Sequence, residues 1–370
     1  MSVLHFDHLV GRYKKQASSH PHLVHATVEL TYGCNLRCVH CFNPTHYAKG
    51  ERTTQEIFHT LDELVAEGCL WVGFTGGEIF TRRDSMEILW YAKKLGMVVS
   101  ILTNATMITP VLADQIQALE PFLVEISVYG SNAETYEKVT GIRGSFQKFV
   151  TGMDLLIERR VTVLLKVVLM SINVHEFEEM WNFSTKRGVN CRVSTSIQPK
   201  ADGSKEPLAY RIDPERVFEI WKKLSGETLR RKQLLAENVI REDIMEEGCN
   251  TSSEEPLFQC ACGKSNAAIT PYGKMNLCVS MHHPQINLNE VSVHEAWQSL
   301  VDLVAQARPG SGYECGTCPV EKRCDRGPKD GWLEEGKFDA GCLPYHQKIA
   351  QLKTEFLSVP STTGTLNEEN

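Results

Sequence analysis

The sequence predicts an α/β fold, a partial (β/α)6 barrel followed by a cysteine-rich C-terminal domain. Three observations lead there. Six short β-rich runs alternate with amphipathic helical stretches between residues 25 and 199, three cysteines cluster on the loop after the first run, and eight more crowd the last third.

Residues 1–24 read as an N-terminal extension, without the apolar core and cleavage site of a signal peptide. The β-rich runs fall at residues 25–31, 71–75, 98–102, 123–128, 161–169 and 192–197. Between the first two, residues 54–67 place Ile57, Leu61, Leu64 and Val65 at helical spacing; 84–95, 110–119, 144–158 and 174–186 read the same way. Strands alternating with helices imply parallel pairing through right-handed crossovers. The domain therefore spans 25–199 and should carry its chemistry at the C-terminal ends of its strands. Residues 200–248 are a linker: a Pro/Gly/Asp loop over 198–212, then a helix over 213–235 with Asp213 as N-cap and Pro214 in the first turn. From 249 to 345 the periodicity fades and Gly, Pro and Cys dominate, so bound metal is expected to supply part of the folding energy. Residues 346–370 read as a C-terminal tail.

The chain has 370 residues, 42% of them hydrophobic and 23% charged, which excludes wholesale disorder. Its formal charge of −7 argues against a generic nucleic-acid binder. No apolar run approaches the roughly 18 residues of a membrane span, so a cytoplasmic protein without a membrane partner is expected. In that compartment thiols stay reduced, and 13 cysteines point to ligands or nucleophiles rather than to disulfides. Cys69 and Cys191 stand alone in β-rich runs and read as buried filler.

The first group is Cys34-x3-Cys38-x2-Cys41. Three thiolates on one short loop can hold three irons of a [4Fe–4S] cube and leave the fourth open. Zinc, with His40 or His46 as fourth ligand, and plain buried thiols are the alternatives. This spacing directly after a first strand, with Thr75, Gly76, Gly77 and Glu78 closing the second, resembles the radical S-adenosylmethionine superfamily. His40 stands where that family usually has an aromatic residue. The resemblance implies that the open iron chelates S-adenosylmethionine and that its reductive cleavage yields a 5′-deoxyadenosyl radical. It assigns Gly76, Gly77 and Glu78 to the cofactor, the glycines through close backbone approach and Glu78 through a bond to the ammonium. Asn104 and Ser127, at the ends of the third and fourth strands, resemble family positions near the cofactor. Lys166 on the fifth reads either as facing the cofactor's carboxylate or as an exposed strand lysine. Residues 139–146 (VTGIRGSF) resemble the peptide-modifying branch, without a mechanism that the sequence supplies.

The late cysteines extend the resemblance. Cys260-x12-Gly273-x4-Cys278, then Cys315-x2-Cys318-x5-Cys324 and Cys342, resemble the SPASM extension, which binds auxiliary iron–sulfur clusters. Carried over, Cys315, Cys318, Cys324 and Cys342 hold the outer cluster. Cys260 and Cys278 belong to the inner one, whose further ligand is replaced here by Pro328; Cys249 and Cys262 are extra thiols that can compensate. A zinc ribbon over Cys315–Cys342 is the alternative.

The resemblance implies an enzyme that matures a ribosomally made peptide by cross-linking, epimerisation or oxidation. Formylglycine formation on a sulfatase, modification of a haem precursor, and a non-enzymatic electron-transfer scaffold are the alternatives. A flavodoxin- or ferredoxin-type electron donor is implied. With 24 residues before the first strand, the leader-binding domain of many peptide maturases is expected to be absent, leaving leader recognition to a separate protein or an unrelated surface, or the substrate without a leader.

Overall fold

The computed structural model describes residues 20–235, 257, 258, 260–311 and 313–358. Six parallel strands pair in sequence order: β1 (His25–Thr31), β2 (Trp71–Gly76), β3 (Val98–Thr103), β4 (Leu123–Val128), β5 (Val163–Val168) and β6 (Asn190–Ser194). The connections carry α1 (Thr54–Ala66), α2 (Ser85–Lys94), α3 (Pro110–Leu119), α4 (Ala133–Thr140), α5 (Ser145–Glu158) and α6 (Phe177–Thr185). One face of each strand is sealed. Ala26, Val28 and Leu30 of β1, Val72 and Phe74 of β2, and Val99 and Ile101 of β3 join Ile57, Leu61 and Leu64 of α1 in one buried core. Local chemistry fixes the helix starts: Thr53 and Glu56 form a capping box for α1, Thr109 caps α3 ahead of Pro110, and Asn132 caps α4.

Helix α4 departs from the sequence reading, which left residues 129–143 unassigned. It is polar on average, and its stability comes from its ends. Glu176 accepts hydrogen bonds from Ser131, Asn132 and Thr135 at the N-terminal end, and Gly141 closes the other in the left-handed conformation.

The sheet also runs beyond the barrel. Strand β7 (Asn266–Ile269) pairs in parallel with β1, and β8 (Lys274–Asn276) and β9 (Ile286–Asn287) continue it antiparallel, giving the order β6-β5-β4-β3-β2-β1-β7-β8-β9. Cys262 and Cys278, which flank β7 and β8, are thus attached to the strand that delivers the first cysteine loop. Helix α7 (Pro214–Leu235) starts where Asp213 and Pro214 placed it.

Two expectations for the last third are corrected. Helix α8 (Val293–Gln306) is regular, with Val293, Ala296, Trp297, Leu300 and Val304 buried and a Ser292–Glu295 capping box, so the periodicity does not fade throughout 249–345. After α9 (Pro328–Glu335), α10 (Pro344–Ser358) occupies most of the presumed tail and packs on α7. Tyr345 donates to Ile212 O at 3.0 Å, and the buried Lys353 pairs with Asp325 at 2.9 Å. Arg211, in the loop after the barrel, grips Glu334 of α9 with both ends of its fork, at 2.6 and 3.3 Å.

Candidate active site and auxiliary cysteine sites

The cysteine loop leaves β1 at Thr31 and is pinned from two sides. On one side lies the turn after β2: Gly77 N donates to Thr31 O at 2.7 Å and Glu78 N to Gly33 O at 2.9 Å. A Cβ on Gly76, whose φ is +131°, would sit 2.2 Å from Thr31 O, and one on Gly77 2.3 Å from Gly33 O. Both glycines are therefore required by the approach of protein backbone.

On the other side lies α4. Arg37 N donates to Thr140 O at 2.8 Å and Val39 N to Val139 O at 3.0 Å. Gly141 turns away at φ +67°, where a Cβ would meet Arg37 O at 3.1 Å. This accounts for the VTGIRGSF stretch. Its first residues are a dock for the cysteine loop, and Thr140 Oγ1 and Ser145 Oγ, 2.8 Å apart, join α4 to α5.

The three thiols are half-buried and sense one another. Burial pushes Cys34 up to about 11, with the Glu78 and Cys41 charges adding to it; burial raises Cys38 further, with Cys41 and Cys34 as neighbours. Iron would deprotonate such thiols on ligation, so the donor set suits a soft-ligand cluster. Three buried polar atoms around the loop, His40 Nδ1, Asn43 Oδ1 and His46 Nδ1, have no protein partner. His40 lies edge-on to Tyr129 with centroids 4.9 Å apart, and burial, helped by Lys166, lowers its imidazole to about 4.

Glu78 is fully buried, and its carboxylate is engaged inside the protein. Thr103 Oγ1 donates to both oxygens at 2.8 and 2.9 Å, Asn104 N to Oε2 at 2.7 Å and Phe80 N to Oε1 at 3.2 Å. Burial still pushes it up to about 7. Asn104 passes the contact on: its amide donates to Asn35 Oδ1 at 3.1 Å, within the cysteine loop. Ser127 and Lys166 are register partners across β4 and β5, and Arg192 follows on β6, so the three share one face of the sheet. Burial lowers the Lys166 ammonium, and Arg192 and Lys329 add to this against Glu125.

Sequence reasoning missed a polar link between β1 and the late cysteines. Tyr32 donates to Glu29 Oε2 at 3.2 Å, its hydroxyl lies 3.4 Å from His282 Nε2, and the Tyr32 and His282 rings stack at 6.3 Å. Glu29 Oε1 is buried without a partner, and burial pushes this carboxyl up to about 8. No motif marks these residues. Only an acidic residue interrupting an apolar strand hinted at them.

Cys315, Cys318, Cys324 and Cys342 line a single pocket of about 360 Å³, together with Tyr313 and Arg326. That is far roomier than one tetrahedral zinc with thiolates at about 2.3 Å needs. The pocket fits a cluster. Cys260, Cys262 and Cys278 form a second group, in which Cys262 donates toward both others: its thiol rises well above the ordinary range while theirs fall, to about 6 and about 7. Pro328, in place of a further cysteine, opens α9 as its first residue, and Lys329 beside it helps lower Cys278. Cys249 lies outside the described residues.

A three-cysteine loop clamped between the Gly-Gly-Glu turn and α4, on a parallel α/β sheet, is the arrangement of a radical S-adenosylmethionine domain, and a cysteine-rich region follows it toward the C-terminus. Residues 28–183 match the Radical SAM superfamily and form its domain in this chain. The chain is 25% identical over 309 residues to the AdoMet-dependent heme synthase of Methanosarcina barkeri (strain Fusaro / DSM 804), covering 80% of this chain and 88% of that protein. It is 26% identical over 359 residues to the mycofactocin maturase MftC of Mycobacterium tuberculosis (strain CDC 1551 / Oshkosh), covering 90% and 86%. In fold it is similar to Streptococcus suis SuiB bound to precursor peptide SuiA, with a TM-score of 0.69 at 14% identity over 92% of this chain and 80% of that one. Among the described residues no helix is long and apolar enough to cross a membrane.

Proposed function

We propose that this chain is a peptide-modifying radical S-adenosylmethionine enzyme in which Cys34, Cys38 and Cys41 hold the cofactor's [4Fe–4S] cluster. When bound, the cluster and S-adenosylmethionine supply a 5′-deoxyadenosyl radical by reductive C–S cleavage. The chain's own part is positioning. Gly76 and Gly77 let the β2 turn close on the cysteine loop, and Glu78 holds Asn104 against that loop from within the protein. Ser127 and Lys166 present a hydroxyl and a weakened ammonium on the sheet face where substrate and cofactor meet. Cys315, Cys318, Cys324 and Cys342 hold an outer auxiliary cluster, and Cys260, Cys262 and Cys278 ligate an inner one, with Cys249 as a further candidate.

The observation that carries the peptide reading is the alignment with a maturase along 90% of this chain. A flavodoxin- or ferredoxin-type donor supplies the electron, and the reaction takes place in the cytoplasm. The test is anaerobic incubation with S-adenosylmethionine, a reductant and short peptides encoded beside the gene, followed by mass spectrometry. A mass change confined to one peptide residue is expected. The haem synthase relative motivates a second reading, modification of a tetrapyrrole. Turnover of a haem precursor with every peptide unchanged would select it.

A further inference from the structure

We propose that Arg326 is a positioning residue of the outer auxiliary site, holding the Cys315 thiolate and raising the reduction potential of the cluster there. The inference rests on the assignment of Cys315, Cys318, Cys324 and Cys342 as its ligands.

Arg326 is 7% exposed and borders the four-cysteine pocket. Its Nη1 donates to Cys315 Sγ at 2.8 Å. Its Nη2 is anchored on Ala340 O, and its Nε is buried without a protein partner. The guanidinium is held in place by its surroundings. Gly331 leaves room for it, since a Cβ there would come within 2.9 Å of Nη2, and the Tyr313 ring lies 5.9 Å away.

Burying a guanidinium is costly unless an opposite charge compensates it. Among the described residues no carboxylate lies within ion-pair distance of Arg326; the adjacent Asp325 is taken by Lys353. The negative partner is the thiolate set itself. An N–H···S bond withdraws electron density from the sulfur, and reduction adds one negative charge beside a fixed positive one. Both effects favour the reduced form, by the levers that tune such potentials in general. A site poised this way is suited to receiving electrons more than to supplying them.

The test is redox titration of the anaerobically reconstituted full-length protein, followed by electron paramagnetic resonance, with Arg326→Lys and Arg326→Gln. Lys keeps the charge without the fork; Gln keeps a donor without the charge. With iron content unchanged, one midpoint should fall in the order Arg, Lys, Gln. The Gln variant should show at least a tenfold drop in the reduced-to-oxidised ratio at fixed potential, about 59 mV for one electron. The signal that responds to S-adenosylmethionine should keep its midpoint, as an internal control. Unchanged midpoints at full iron content would overturn the proposal. So would loss of the outer cluster's iron in both variants, which would make Arg326 a folding element. The ligand assignment fails separately, by Cys315→Ala and Cys342→Ala retaining all the iron of the parent protein.

Discussion

The backbone N–H of Asn104 donates to Glu78 Oε2 at 2.7 Å, tying the end of β3 to the turn that closes β2. Because Asn104 also bonds to Asn35, a carboxylate buried beneath the site governs how the cysteine loop meets two strand ends. In the proposed function Glu78 acts on the cofactor through the backbone it organises.

Glu78→Ala should therefore be costly before any cofactor is added. It strips the acceptor from Asn104 N, Phe80 N and the Thr103 hydroxyl, and each buried donor left unsatisfied costs about 1–3 kcal/mol. Urea unfolding of the apoprotein should show a loss of several kcal/mol, with weakened S-adenosylmethionine binding as a consequence. If binding weakens while stability is untouched, the carboxylate contacts the cofactor directly, as the sequence alone suggests.

Gly141 gives a sharper test of the dock between α4 and the cysteine loop. A β-branched residue at φ +67° carries strain of about 1–3 kcal/mol, and its Cβ would press on Arg37 O. Gly141→Val should lose the N-terminal cluster's iron, on the order of four atoms per chain, while the late cysteines keep theirs. Gly144→Ala is the control: φ is +77° there, but nothing lies within 4 Å of the added Cβ. Equal iron loss in both variants would mean that the helix, and not the dock, is at fault.

Much of this arrangement was legible in the sequence because it is local. The Cys34–Cys41 spacing, the Gly-Gly-Glu turn and the alternation of strands and helices are each written within a few residues. The three-cysteine run with Cys342 likewise marked one pocket. What was illegible depends on distant partners. Helix α4 reads as a weak helix until Glu176, over 40 residues later, caps it. Strand β7 is four residues long and is defined by β1, some 240 residues earlier. Helix α8 is different: Val293, Trp297, Leu300 and Val304 carry a clear period of their own between cysteine- and glycine-rich flanks.

Glu29 makes stability depend on pH with a definite sign. Its folded carboxyl titrates at about 8, against about 4.3 in an unfolded chain. The native state therefore binds the extra proton between those values, and the contribution is fully present below the lower one and lost as pH rises through the upper one. His282, lowered by burial, works in the opposite direction as pH falls. Urea midpoints of the apoprotein should show Glu29→Gln removing a decline in stability between pH 5 and 8. Parallel curves for parent and variant would show that the buried carboxyl does not carry that proton.

Iron counting decides how Pro328 is compensated. Cys262 sits between Cys260 and Cys278, so three thiols are gathered where Pro328 withholds another. If Cys262 is a ligand, the reconstituted parent should hold about twelve irons, three clusters of four. Cys262→Ser should then lower that by up to about four, with Cys315, Cys318, Cys324 and Cys342 keeping theirs. Serine preserves the size and the hydrogen-bonding capacity of the side chain, so lost packing does not explain such a fall. Cys249→Ser runs in parallel: a similar fall would make it a fourth ligand, and full iron would leave the inner cluster on three thiolates. A parent holding only about eight irons, unchanged in both variants, would mean that Pro328 marks a lost site and that the gathered thiols are free.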